Sequence, residues 1–372
     1  MVFLISVFII HTLINVYIFY RGWKAFPKSP YVKILYSIIF FVFYSSFAIM
    51  MLGRNVFPLN IQKVFYFLGT TWMAVMLYIS IYFLLTDLIH RLARHFKLFP
   101  SRMTPRFFYR LQVISGYIIV FALLRTGYRN FMHPVVVEKE IRIEKPGNRY
   151  KELKVAAFSD MHLGITVDKN KLKNYVRLIN EQNPDIIIIA GDMIDNSIRP
   201  LMEEEMYNEI NKLQAPLGVY FCLGNHEYLS EIEKSKEFFQ KTKLVLLIDN
   251  VISVNDSFWI IGRDDKHNKN RSDLKSLVAR TDTSQPLFLL DHQPYFPDEA
   301  ERNGIDLQFS GHTHHGQMWP LNYIVDQVYE IGYGYKRKGN THIYVSSGLG
   351  LWGPEYRIGT QSELVIFNIK FN

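Results

Sequence analysis

Three long stretches without a charged side chain set the first limit on what this chain can fold into. Residues 1–20, 34–53 and 64–86 contain no Lys, Arg, Asp or Glu. Each is about twenty residues, the length a helix needs to cross a hydrocarbon core. The first lacks the basic start and small-residue cleavage site of a removable leader, so it is read as a retained helix. A fourth stretch, 111–124, is shorter. It spans only if residues 107–109 join it and Arg110 reaches back to the interface; otherwise it lies on the surface as an amphipathic helix.

The rest of the composition fits a membrane better than a polyanion. The formal charge is +8, but the basic residues of the first third stand between apolar runs, so no nucleic-acid partner is expected. Arg21, Lys24, Lys28 and Lys33 separate the first two runs, and Arg91, Arg94, Lys97, Arg102, Arg106 and Arg110 the last two. Between the second and third stand only Arg54 and Lys63. The richer loops are expected in the cytoplasm. Four crossings then put everything after about residue 130 on the outer face of a bacterial inner membrane, whereas a surface-lying fourth helix leaves it inside. The single cysteine, Cys222, excludes an intramolecular disulfide and reads as a small core residue.

From His133 onward, short β-rich runs alternate with amphipathic segments. Residues 135–143 and 152–158, separated by Lys145-Pro146-Gly147-Asn148, read as a hairpin. Residues 169–182 carry Leu172, Tyr175, Val176, Leu178 and Ile179 at helical spacing, and Asn183-Pro184 ends them before Ile186. Strands interleaved with helices predict a layered α/β domain over 135–372, after a membrane module over 1–130.

Five of the apolar runs end in residues suited to metals. Residues 155–158 lead into Ser159-Asp160-Met161-His162, and 186–189 into Ala190-Gly191-Asp192-Met193-Ile194-Asp195. Residues 219–223 lead into Gly224-Asn225-His226-Glu227, and 287–290 into Asp291-His292-Gln293-Pro294. The fifth is Ser310-Gly311-His312-Thr313-His314-His315-Gly316, where both histidines of the His-x-His pair face one cluster only if the strand ends and the backbone turns. Loops beyond the carboxyl ends of α/β strands converge on one crevice. Carboxylates, imidazoles and an amide, with no thiolate, suit Mn, Fe or Zn. Two cations roughly 3.5–4 Å apart need a bridging carboxylate, for which Asp192 is suited.

With these five motifs in order, the chain resembles the calcineurin-like metallophosphoesterase superfamily. It is most similar there to the bacterial membrane-associated phosphohydrolase branch, and its layout resembles transmembrane proteins with a C-terminal metallophosphoesterase domain. The resemblance implies a four-layer αββα sandwich holding two divalent or trivalent metals. It implies that Asp160, His162 and His314 hold one metal and Asn225, His292 and His312 the other, that Asp192 bridges, and that His226 is the general acid. Arg357 and His315 are expected to contact substrate, and Asp195 to orient a ligand. Two cations would activate a hydroxide for in-line attack on a phosphate ester or diphosphate, with a lipid-linked or cell-envelope phosphate as the expected substrate class. A catalytically inactive membrane sensor on the same fold is the alternative. Glu227, in place of the branch's usual Asp, and His315, in place of Gly, depart from the pattern without removing a ligand.

Overall fold

The computed structural model describes residues 2–53, 56–97 and 104–372; Met1, Arg54 and Arg102 lie outside them. The chain divides into two compact units, one of residues 1–128 with 353–356, the other of residues 129–352 with 357–372.

The first unit is helical: α1 (Val2–Ala25), α2 (Pro30–Gly53), α3 (Leu59–His95) and α4 (Pro105–Met132), whose residues from Arg129 onward belong to the second unit. Among the described residues α2, α3 and α4 are long and apolar enough to cross a membrane. The fourth run, short in the sequence, thus lies within a helix of spanning length. The helices also outrun the charge-free stretches, and two of the charges they gain, Arg21 and Asp87, pair with each other. Arg21 on α1 is bonded to Asp87 on α3 and, at 3.0 Å, to Gln112 on α4, so opposite charges at the helix ends meet rather than face lipid. Asn15 accepts from the Trp72 indole at 2.8 Å.

The second unit holds twelve strands: β1 (Val135–Ile143), β2 (Glu152–Phe158), β3 (Ile186–Ala190), β4 (Val219–Cys222), β5 (Val245–Leu247), β6 (Asn250–Val254), β7 (Phe258–Gly262), β8 (Leu287–Leu290), β9 (Leu307–Ser310), β10 (Gly334–Lys338), β11 (Thr341–Val345) and β12 (Glu363–Phe371). One six-stranded sheet runs β1-β12-β2-β3-β4-β5, the other β10-β11-β9-β8-β7-β6. The hairpin expected of β1 and β2 does not form. The C-terminal strand lies between them, parallel to β1 and antiparallel to β2. Pro-Gly turns the chain, but the largely buried apolar strand β12 takes the place beside β2 while the half-exposed β1 is left at the edge.

Period-two alternation builds the layers. On β2 and β3, Val155, Ala157, Ile186 and Ile188 point to a core shared with Phe258, Phe288, Leu290 and Phe309 of the other sheet. Ala156, Phe158, Ile187 and Ile189 point the other way, onto Leu172, Val176, Ile179 and Phe238 of covering helices. Beyond the second sheet, Ile261, Leu287 and Leu289 pack on Leu274, Leu277 and Ala300. This is the αββα sandwich, with the central strands of both sheets buried on both faces. Parallel pairing of β2, β3 and β4, and of β7, β8, β9 and β11, brings their carboxyl ends to one edge.

Candidate metal centre

At that edge the strands stop abruptly. Asp160, His162, Asp192, His312 and His314 all have positive φ, between 48° and 71°, a region that L residues occupy only when the surroundings impose it. Each left-handed residue turns the chain back over the sheet edge and directs a side chain inward. The His-x-His pair needs this turn: His312 and His314 leave β9 on either side of Thr313, whose hydroxyl accepts from the His315 N–H and donates to the Gly332 carbonyl.

The loops fit together only through glycine. A Cβ on Gly311 would strike the Asp160 carboxylate and Ser159, and one on Gly224 would strike Asp192. The glycines in Ser-Gly-His and Gly-Asn-His therefore let the fifth loop approach the first and the third approach the second.

Three overlapping groups of potential ligands result: Asp160, His162 and His314; His162, Asp195 and His226; Asp192, His292 and His312. His314 Nε2 lies 3.1 Å from His162 Nε2 and 3.4 Å from Asp160 Oδ1. Asp192 Oδ2 lies 3.1 Å from His292 Nε2 and 3.8 Å from His162 Nε2. Asn225 Oδ1 is 2.8 Å from His312 Nδ1, which adds the amide to the third group. Seven sequence-chosen donors thus converge, with Asp192 between the two sides.

The donor set fits cations. His292 Nδ1 is 2.7 Å from the Ala190 carbonyl, which can only accept, so this nitrogen carries the proton and Nε2 keeps its lone pair. That Nε2 is buried without a hydrogen bond, as is His162 Nδ1. Burial alone would discourage charge on His162, yet Asp160, Asp195 and Asp192 outweigh it and push the imidazole up to about 10. Likewise burial works against the Asp160 carboxylate, but His314 and His162 hold it below the usual range. The acidic side chains create a strong demand for positive charge here.

A second ring of residues holds the loops. The fully buried Glu227 accepts from the N–H groups of Gly224 (2.7 Å), Ile194 (3.0 Å) and Asp192 (3.1 Å), joining the second and third motifs. Burial and the Asp192 charge push its carboxyl up to about 7. The sequence marked Glu227 only as a departure from the branch's aspartate; its stapling role depends on loop contacts that no spacing encodes. Asp195 lies 3.6 Å from His162 Nδ1, and its carbonyl is 2.7 Å from His226 Nδ1. The Arg263-Asp264-Asp265 segment that follows β7 is buried. Arg263 is buried against Asp291 (3.1 Å) and Glu299 (2.8 Å).

The two expected substrate contacts stand elsewhere. Arg357 is fully buried, its guanidinium donating to the Ser347, Gly348 and Gly350 carbonyls, 3.4 Å behind His314 Nδ1. Its carbonyl partners, all in one loop after β11, hold it back from solvent. His315 turns away from the cluster. It stacks on Tyr333 at 4.7 Å and lies 3.4 Å from Asp326 Oδ1.

Comparison with known proteins decides the family. Residues 153–316 match the calcineurin-like phosphoesterase family. Over its whole length and 99% of the relative's, the chain is 30% identical to an uncharacterized metallophosphoesterase of Campylobacter jejuni. The chain belongs to the calcineurin-like phosphoesterases. It is also 30% identical to a transmembrane protein with metallophosphoesterase domain of Danio rerio, over 69% of this chain and 61% of that one. Among solved structures, a putative 5'-nucleotidase from Staphylococcus aureus matches with a TM-score of 0.37 at 12% identity, covering 59% of this chain and 55% of the other. As a calcineurin-like phosphoesterase with clustered metal-binding residues, the protein is a metal-dependent phosphoester hydrolase. Its substrate carries phosphate, and its apolar helices associate it with membrane.

Proposed function

We propose that this protein is a membrane-anchored phosphoesterase that cleaves a phosphoric ester or diphosphate of a lipid-linked or cell-envelope molecule at a two-metal centre on the outer face. The observation that carries the reading is the position of Asp192 Oδ2, within 3.8 Å of imidazole nitrogens from both sides of the cluster. Asp160, His162 and His314 would hold one ion, Asn225, His292 and His312 the other, and Asp192 both. Manganese, iron and zinc all suit these donors. When bound, such ions supply Lewis acidity, neutralising phosphate oxygens and acidifying water.

The remaining chemistry belongs to the protein. His226 Nδ1 donates to the Asp195 carbonyl, so the proton for the departing oxygen leaves Nε2 of the imidazolium, which returns to the neutral ring. Burial and then His162 push His226 below the ordinary imidazole range, while Asp192 and Asp195 pull the other way. The His226 N–H donates to Asp192 Oδ1 at 2.8 Å, tying the acid's position to the bridging carboxylate. Arg357 places fixed positive charge behind His314 and holds the loop after β11, a positioning role.

The test is hydrolysis by purified full-length protein, with added Mn, of nucleotide, lipid and cell-envelope phosphates. Turnover of a lipid diphosphate in mixed micelles is expected. Brisk cleavage of a soluble diester with none of several lipid diphosphates would remove the lipid part.

A further inference from the structure

One surface of the second unit has its apolar side outward. The helix Asn322–Val328 follows directly from the turn that carries His314, and none of its residues is buried. Leu321, Ile324 and Val328 recur at helical spacing, yet Ile324 is 60% and Val328 59% exposed. Trp319 and Tyr323 beside them are also exposed. The short helix is held rather than loose, because a Cβ on Gly316 would strike the backbone of Leu321 and Asn322.

What lies beneath this surface ties it to the end of α4. The Trp319 N–H donates to the Ile358 carbonyl at 2.6 Å, and Trp319 packs on Gly359. The preceding residue, Arg357, accepts from the Asn130 side chain at 3.0 Å, and the Ser362 N–H donates to the Asn130 carbonyl. Asn130 stands in the last turn of α4. That helix has 28 residues, about 42 Å at 1.5 Å per residue, against a hydrocarbon core of about 30 Å. A helix of that length, crossing a membrane, carries its end to the headgroup layer, and Asn130 at that end belongs with the exposed stretch to the second unit, two hydrogen bonds apart.

We propose that residues 319–328 are an interfacial docking surface for that bilayer, with Leu321, Ile324 and Val328 dipping into the acyl boundary and Trp319 and Tyr323 at headgroup level. Trp and Tyr are the residues that populate this layer, and a helix with one apolar face lies in its plane. A second copy of the chain is a poorer occupant, because a stable protein interface uses about 20–30 residues a side. This inference rests on the membrane-anchored reading above but not on the identity of the substrate. Its consequence is that the loop bearing His312 and His314 is held against the lipid surface.

The test uses full-length protein in lipid nanodiscs, with an environment-sensitive fluorophore on Ile324→Cys, on Val328→Cys, or on Asp282→Cys in an exposed loop before β8 as control. The native Cys222 is buried and stays unlabelled. Nitroxide-headgroup lipids are expected to quench the first two labels several-fold more than the control. Equal, solvent-like behaviour at all three overturns the proposal, as does an Ile324→Cys disulfide dimer without quenching, which would put a second copy on the face. Lipid-phosphate turnover in the same discs separates the two readings. Quenching without turnover leaves the docking surface standing and removes the lipid substrate; turnover without quenching removes the docking surface alone.

Discussion

At Asp192 one carboxylate faces imidazoles from two directions and accepts from the backbone N–H of His226, the general acid of the proposed mechanism. Replacing His226 with Ala should lower turnover of an alkyl phosphate ester by about 10²–10⁴-fold. An activated aryl ester, whose leaving group needs no proton, should lose much less, and metal content should not change. Steady-state kinetics on both esters, with metal analysis, checks this. The convergence of the seven candidate ligands was legible because each follows an apolar strand and is of a metal-binding type. Glu227 and Arg357 were not, because a carboxylate accepting three N–H groups from two loops and a guanidinium sealed behind His314 are products of tertiary contact.

Glu363 gives a pH prediction away from the ligands. Burial raises its carboxyl, although the Ser347 N–H (2.9 Å) and the Tyr333 hydroxyl (3.0 Å) donate to it. Folded protein thus holds this proton more tightly than unfolded protein does. Its contribution to stability is full below the ordinary glutamate range and is lost as pH rises through the folded value. Glu363→Gln cannot ionise. The difference in melting temperature between variant and wild type should therefore shift in the variant's favour as pH rises from about 4 to about 8, and a constant difference would contradict it.

Among the elements, the loops matter more than the strands that carry them. Gly311→Ala adds one methyl group where Asp160 and Ser159 already stand, so the His312–His314 turn must shift. A misplacement of about 1 Å can cost about 10²-fold in rate, and a loss of that order is expected together with weaker metal retention, measured by dialysis and metal analysis. Strand positions and their covering helices followed from apolar periodicity. The insertion of β12 between β1 and β2 did not, since a local turn signal says nothing about a strand that arrives more than two hundred residues later. The helices of the first unit were legible for the opposite reason: their signal is composition over a long run, which needs no partner.

For the whole molecule, orientation depends on the number of crossings. With α4 spanning, added protease should cleave the second unit in intact cells; protection until lysis would put it in the cytoplasm. The central claim is the two-metal hydrolytic centre bridged by Asp192, and the most direct measurement compares metal stoichiometry and phosphoester turnover of wild type with Asp192→Ala, both full length. Wild type should retain two divalent ions per chain and hydrolyse the ester, and the variant should lose metal and fall to background. Unchanged turnover in Asp192→Ala would contradict it.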